Sequence, residues 1–241
     1  MPLSKRQMTQ THSSRPQHRP EPVELEALEA IYRDLPIWGP MLVVAIAIAL
    51  DVALPSKLTL GPRWLLPGLE ALLIVGLVAA SPSRRARHHK RRRAIVLTLV
   101  ALVSATNAVS LGLLVHYLVS GGHETGKDLI FAGALLWINN VLLFGVWYWE
   151  LDRGGPVERM RHTPDPPDFL FVQMSTPELA AKDWIPSLVD YLYLSFTNST
   201  AFSPTDTMPL TPMAKSLMAG QSLVALITVG LVVARAVNIL G

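Results

Sequence analysis

The chain has no cysteine, and only 16% of its 241 residues are charged. The first absence removes disulfides, thiolate metal sites and a cysteine nucleophile. The second counts against a single water-soluble domain, since soluble proteins carry about 25% charge. A hydrophobic fraction of 50% gives a mean hydropathy of +0.34, and the charges are bunched between long apolar runs. The apolar surplus must therefore face lipid. Motifs of hydrolytic chemistry are missing too: there is no His-Glu-x-x-His zinc pattern and no Gly-x-Ser-x-Gly nucleophile elbow. Gly121, Gly126 and Lys127 reproduce the spacing of a phosphate loop, but Asp128 stands where a Ser or Thr would ligate magnesium, and no strand precedes them. The chain reads as a non-enzyme with no cofactor and no metal.

What is present is organised by apolar runs. Residues 1–22 are rich in Ser, Thr, Gln, Pro and basic side chains, cannot repay the entropy of ordering, and read as a disordered cytoplasmic tail. Residues 23–35 place Leu25, Leu28, Tyr32 and Leu35 at helical spacing, with Glu24, Glu26 and Glu29 on other faces. An acidic face does not suit anionic lipid, so this amphipathic helix is expected to meet a cytoplasmic partner or the protein's own cytoplasmic surface.

Candidate spans follow at 37–54, 64–80, 94–119, 129–149 and 217–240, each close to the ~20 residues that cross a bilayer. The first four form a transmembrane region over 37–150, and a polar loop covers 151–184. The tight turn around Pro55 and Pro62 makes a hairpin of the first two spans and puts Asp51 and Glu70 near its turn side. Trp38, Trp64, Trp147 and Trp149 sit at span ends, where indoles prefer the headgroup zone. Seventeen Lys and Arg fall in the N-terminal segment and the loops after the second and fourth spans, against three in the other two loops, so the former are expected inside. Arg84, Arg85, Arg87, Lys90, Arg91, Arg92 and Arg93 are pinned between two spans and suit anionic headgroups, each worth about 1 kcal/mol there, better than nucleic acid.

Residues 185–241 form a different block. Pro186 opens a short helical stretch that turns polar at Thr197, Asn198, Ser199 and Thr200, a Pro-punctuated loop follows, and Thr211 with Pro212 starts the last helix as N-cap and first-turn proline. Tyr191, Tyr193, Thr197, Asn198 and Thr200, then Asp206, Pro209 and Thr211 and a long apolar helix, resemble the pore helix, filter flank and inner helix of the potassium channel family. The same ending resembles that of an uncharacterised group of bacterial multi-pass membrane proteins. The likeness implies a homo-oligomer around an axis. It does not extend to selectivity: Phe202 and Pro204 stand at the two glycine positions of the filter, where Cβ atoms and a fixed proline φ oppose the stacked-carbonyl geometry.

These observations set the expectations. The fold is an all-α polytopic membrane protein with five transmembrane helices and a re-entrant pore-like half-helix, or alternatively six transmembrane helices. Thr197, Asn198, Thr200, Ser203 and Asp206 would line the polar segment. Asp51, Glu70, Asn107, Asn139, Asn140 and Arg235 are polar residues inside spans, which are functional candidates by default. The bland account of the asparagines is interhelical hydrogen bonding. The expected function is channel-like passage of ions or small solutes, and the alternative is a non-conducting membrane scaffold. High Ala, Leu, Arg and Pro usage with little Lys points to a GC-rich bacterium, and the expected location of the multi-pass chain is then the inner (plasma) membrane.

Overall fold

The computed structural model describes residues 38–55, 58, 68, 89–120, 126–160, 166–182, 184–201 and 206–240. All of them belong to the unit Leu35–Gly241. The N-terminal tail and acidic helix, the second candidate span with Glu70, the basic residues Arg84, Arg85 and Arg87, and Ser203 lie outside the described residues.

Apolar sequence with few breakers gives long helices. These are α1 (Trp38–Ala53), α2 (His89–Val119), α3 (Gly126–Leu151) and α7 (Pro212–Leu240), with the short α4 (Pro156–Met160) and α5 (Val172–Ser175) and the 14-residue α6 (Leu188–Ala201) between them. Phe169–Leu170 (β1) and Met208–Pro209 (β2) form a two-residue antiparallel ladder that ties the segment before α6 to the start of α7. Three helices are long and apolar enough to cross a membrane: Arg93–Val119, Lys127–Gly154 and Pro212–Arg235. The first candidate span corresponds to a shorter apolar helix, Gly39–Ala53. The basic run differs from the loop expected of it, because its second half, from His89 on, is the first part of α2. Lys and Arg are good helix formers. The cost of cations at a helix N-terminus is offset where Arg93 Nη2 donates to the Glu150 carbonyl at 3.1 Å and its guanidinium lies 4.0 Å from the Glu150 carboxylate.

Helix α3 is central, packing against α1, α2, α6 and α7. Val43, Val44, Ala47 and Ile48 of α1 meet Val96, Leu99, Val100 and Val103 of α2 and Leu143 and Val146 of α3. Further along, Leu54, Leu111 and Leu114 meet Leu129, Ala132 and Leu136. These pairings make α1 and α2 parallel to each other and antiparallel to α3. Helix α7 also opposes α3: Ala214 and Met218 lie by Tyr148, and Val224 and Leu231 lie by the Leu129–Leu136 end. Helix α6 starts beside the C-terminal end of α3, where Tyr191 packs on Phe169, and reaches the level of Trp137, whose ring meets Phe196 edge-on at 6.0 Å. At ~1.5 Å per residue it covers about 21 Å, short of a ~30 Å hydrocarbon core, and α7 then begins again at the α3 C-terminal end.

The outward faces are apolar: Leu42 and Val52 on α1, Phe131 on α3, and Leu223, Leu226, Val233 and Val237 on α7 are all exposed. Such a surface, on helices long and apolar enough to cross a membrane, is compatible with a lipid surround. Close packing of α6 on α3 depends on one missing side chain, since a Cβ on Gly145 would come 3.2 Å from Leu192 Cα and 2.6 Å from its Cδ2. Gly145→Ala is expected to lower the stability of the detergent-solubilised protein by about 1–3 kcal/mol through overpacking. Gly112→Ala, where a Cβ meets nothing within 4 Å, is expected to be neutral or stabilising. Thermal unfolding followed by circular dichroism checks both, and equal losses would show that α6 is not held against α3 in this way.

Candidate functional site

A seam of buried polar side chains follows α3 through the bundle. It begins at Asp51 near the end of α1. Asn139 Nδ2 donates to Asp51 Oδ1 at 2.8 Å, and the Thr106 hydroxyl lies 3.3 Å from Asp51 Oδ2 and 2.8 Å from the Val103 carbonyl. Thr106 is the midpoint of the Arg93–Val119 span and Asn139 lies within two residues of the midpoint of Lys127–Gly154. Asp51 is thus not at the interface where its position beside the turn suggested; it faces the centres of both long spans. The reason is that α1 is short and its last turn stops beside the middle of its neighbours.

Asn140 points elsewhere, because successive residues of a helix are turned by about 100°. Its Nδ2 donates to the Gln221 carbonyl at 3.4 Å, and Gln221 is the hub of the next part of the seam. Gln221 Oε1 accepts from the Tyr148 hydroxyl at 2.5 Å and from Asn198 Nδ2 at 2.9 Å. Gln221 Nε2 donates to Ser195 Oγ at 2.6 Å and Ser199 Oγ at 2.8 Å. Ser195, Asn198 and Ser199 are spaced i, i+3, i+4 and so share one face of α6, which turns inward, while Val189, Tyr193 and Phe196 are exposed on the other. The helix is polar inside and apolar outside.

The seam ends at the α3 C-terminus. Asp152, fully buried, accepts from the Asp168 amide at 2.8 Å and from the Tyr191 hydroxyl at 2.5 Å. Asp168 in turn accepts from the Arg153 amide at 2.8 Å and from the Thr211 hydroxyl at 2.7 Å, and Thr211 Oγ1 accepts from the Ala214 amide as the N-cap that the sequence indicated. Arg153 turns out of the helix at φ 49°, followed by Gly154 and Gly155 at φ 79° and 101°. A non-glycine residue at positive φ is strained, and Asp168 pins its amide there. Arg159 Nη1 donates to the Trp149 and Asp152 carbonyls at the end of α3, the latter also accepting from the Gly155 amide, and its guanidinium lies 5.0 Å from the Tyr191 ring centroid and 5.7 Å from that of Trp149. Burial pushes the Arg159 guanidinium down from its ordinary range, against the pull of Tyr191, Asp152 and Glu150.

The residues singled out from the sequence separate into groups. Asn198 and Thr197 are buried: Asn198 spends its amide on Gln221 and the Met218 carbonyl, and Thr197 bonds back to the Leu194 carbonyl. Thr200 is exposed and bonds to the Phe196 carbonyl of its own helix. Asp206 is exposed just ahead of β2. Asp51 and Asn139 meet, Asn140 joins Gln221, Asn107 is buried on α2, and Arg235 is half-buried near the end of α7. Sequence reasoning missed Thr106, Tyr148, Asp152, Arg159, Asp168, Ser195 and Gln221. Gln221 had a legible signal, a lone amide in an apolar helix, and so did the i, i+4 pair Ser195 and Ser199. Asp152 and Asp168 had none, because they meet only after the chain turns back.

No protein-family model matches this chain, and neither a curated protein nor a solved structure is similar to it.

Gln221→Leu would orphan buried groups on α3 and α6 and is expected to cost about 2–3 kcal/mol, since each unsatisfied buried group costs about 1–3. Thr200→Ala should stay within about 0.5 kcal/mol of wild type, as an exposed side chain bonded to its own helix. Thermal unfolding in detergent separates the two, and a small loss for Gln221→Leu would mean the hub does not hold the helices together.

Proposed function

We propose that this chain is a multi-pass protein of a bacterial inner membrane that passes a small ion or solute through its own helix bundle. The observation that carries this reading is the polar seam, running from Asp51 at mid-depth to Asp152 at the end of α3. Polar and ionisable side chains kept at that depth, Asp51 above all, are functional candidates by default. The membrane arrangement that fits is five spans with α6 as a half-helix. Both α6 and α7 start beside the C-terminal end of α3, and the count of Lys and Arg puts that end inside the cell. The likeness to the potassium channel module is then one of shape, with entry from the opposite side. A homo-oligomer is part of the proposal, its contact being the exposed apolar face of α7.

One observation favours a second reading, a non-conducting scaffold. Around Gln221 both amide ends are fully engaged, as a purely structural network requires. Flux into proteoliposomes decides. Asn198→Ala is expected to lower the rate about tenfold or more, equivalent to ~1.4 kcal/mol at the barrier, while Asp206→Ala, at an exposed residue ahead of β2, leaves it unchanged. Wild-type vesicles no more permeable than empty ones, for monovalent cations, protons and small neutral solutes alike, would leave the scaffold.

A further inference from the structure

Asp51 is 8% exposed and lies opposite the midpoints of two spans, where an isolated carboxylate is costly. Among the described residues α1 packs chiefly against α2 and α3, and neither presents Asp51 a charge. On α2 the Thr106 hydroxyl meets it, and on α3 the Asn139 amide. The titratable groups on these helices are His89, Lys90, Arg91, Arg92, Arg93, His116 and Tyr117 on α2 and Lys127, Asp128, Tyr148 and Glu150 on α3. Each lies about nine or more residues along the helix from Thr106 or Asn139, roughly 13 Å or more. Asp51 also occupies the last turn of α1, where the helix dipole disfavours an anion.

The hydrogen count points the same way. Asn139 supplies one donor to Oδ1. Thr106 has a single hydroxyl hydrogen, and the Val103 carbonyl at 2.8 Å is a closer acceptor than Asp51 Oδ2 at 3.3 Å. With that hydrogen on the Val103 carbonyl, Asp51 Oδ2 faces an oxygen lone pair, and a hydrogen on Oδ2 turns the contact into a hydrogen bond. A neutral acid completes a directed chain, from Asp51 Oδ2 to Thr106 Oγ1 and from Thr106 Oγ1 to the Val103 carbonyl, with Oδ1 accepting from Asn139. The Asn139 Oδ1 atom, on a residue 1% exposed, is a further acceptor without a hydrogen-bond donor in the structure, beside the carboxyl group.

We propose that Asp51 is a proton-binding site, holding the proton on Oδ2 between Asn139 and Thr106, and that the proton is the ion the seam passes. The second half rests on the passage reading above; the first does not. Binding takes one proton from water and neutralises the carboxylate, and release returns it to water; Thr106 keeps its own hydrogen and nothing is oxidised or reduced.

Infrared spectroscopy of the full chain in lipid, with proton uptake by dye-loaded vesicles, tests both halves. At neutral pH the wild type is expected to show a protonated carboxyl band that Asp51→Asn removes and Thr106→Val moves to higher frequency, the acceptor of its hydrogen being gone. Asp51→Asn imitates the neutral acid and should melt with the wild type, and its proton uptake should fall about tenfold or more, about 1.4 kcal/mol. An identical band in wild type and Asp51→Asn overturns the site, and an unmoved band in Thr106→Val overturns the assigned hydrogen bond. A band that sodium removes at constant pH also overturns the proposal, making this a sodium site. The expected bands with unchanged proton uptake would uphold the site and overturn the passage reading.

Discussion

Helix α3 is joined to each of its four neighbours by hydrogen bonds as well as by packing, and the arrangement of the bundle depends on those bonds. Asn139 holds α1 through Asp51. Trp147 Nε1 donates to Ser104 of α2 at 3.0 Å, and Glu150 receives Arg93 of the same helix. Ser195 of α6 donates to the Val141 carbonyl at 2.7 Å, and Tyr148 and Asn140 both bond Gln221 of α7. In hydrocarbon there is no hydrophobic drive between one apolar helix and another, so shape and interhelical hydrogen bonds select the partners, at about 0.6–2 kcal/mol each. Apolar packing in this bundle is extensive but unselective; the polar contacts fix which face of α3 meets which helix.

The same constraint explains the pattern of α6. A short helix ending at the depth of Trp137 cannot leave Ser195, Asn198 and Ser199 facing lipid, and Gln221 on α7 supplies their partners. Its far side can then be Val189, Tyr193 and Phe196. At the other end of α3 the physics changes to that of a surface: the chain turns through three positive-φ residues, and buried Asp152 and Arg159 with half-buried Asp168 bind the amides and carbonyls of that turn. The Asp152 group is a clamp on loops, whereas the Gln221 group is a clamp on helices.

Much of the framework was legible. The third, fourth and last candidate spans coincide with the three long apolar helices, and Thr211 with Pro212 starts the last one, because length, hydropathy and capping are local properties of the chain. The candidate site was legible only in part. Asp51, Asn139 and Asn140 stood out as polar residues in apolar runs, yet their depth was misjudged for Asp51, and the two adjacent asparagines serve different helices. Asp152, Arg159 and Asp168 looked like ordinary loop charges.

The sequence alone determined that the chain builds long apolar helices with bunched positive charge between them, since the need to satisfy every backbone group in lipid leaves a run of ~20 apolar residues little choice but helix. Tertiary structure alone decided that Asp51 lies at the middle of its neighbours, that α6 hides its polar face, and that Gln221 is the hub. Those outcomes depend on how far each helix reaches and how it is rotated against α3, which are set by contacts between residues 20 to 88 positions apart and leave no periodic trace in the sequence.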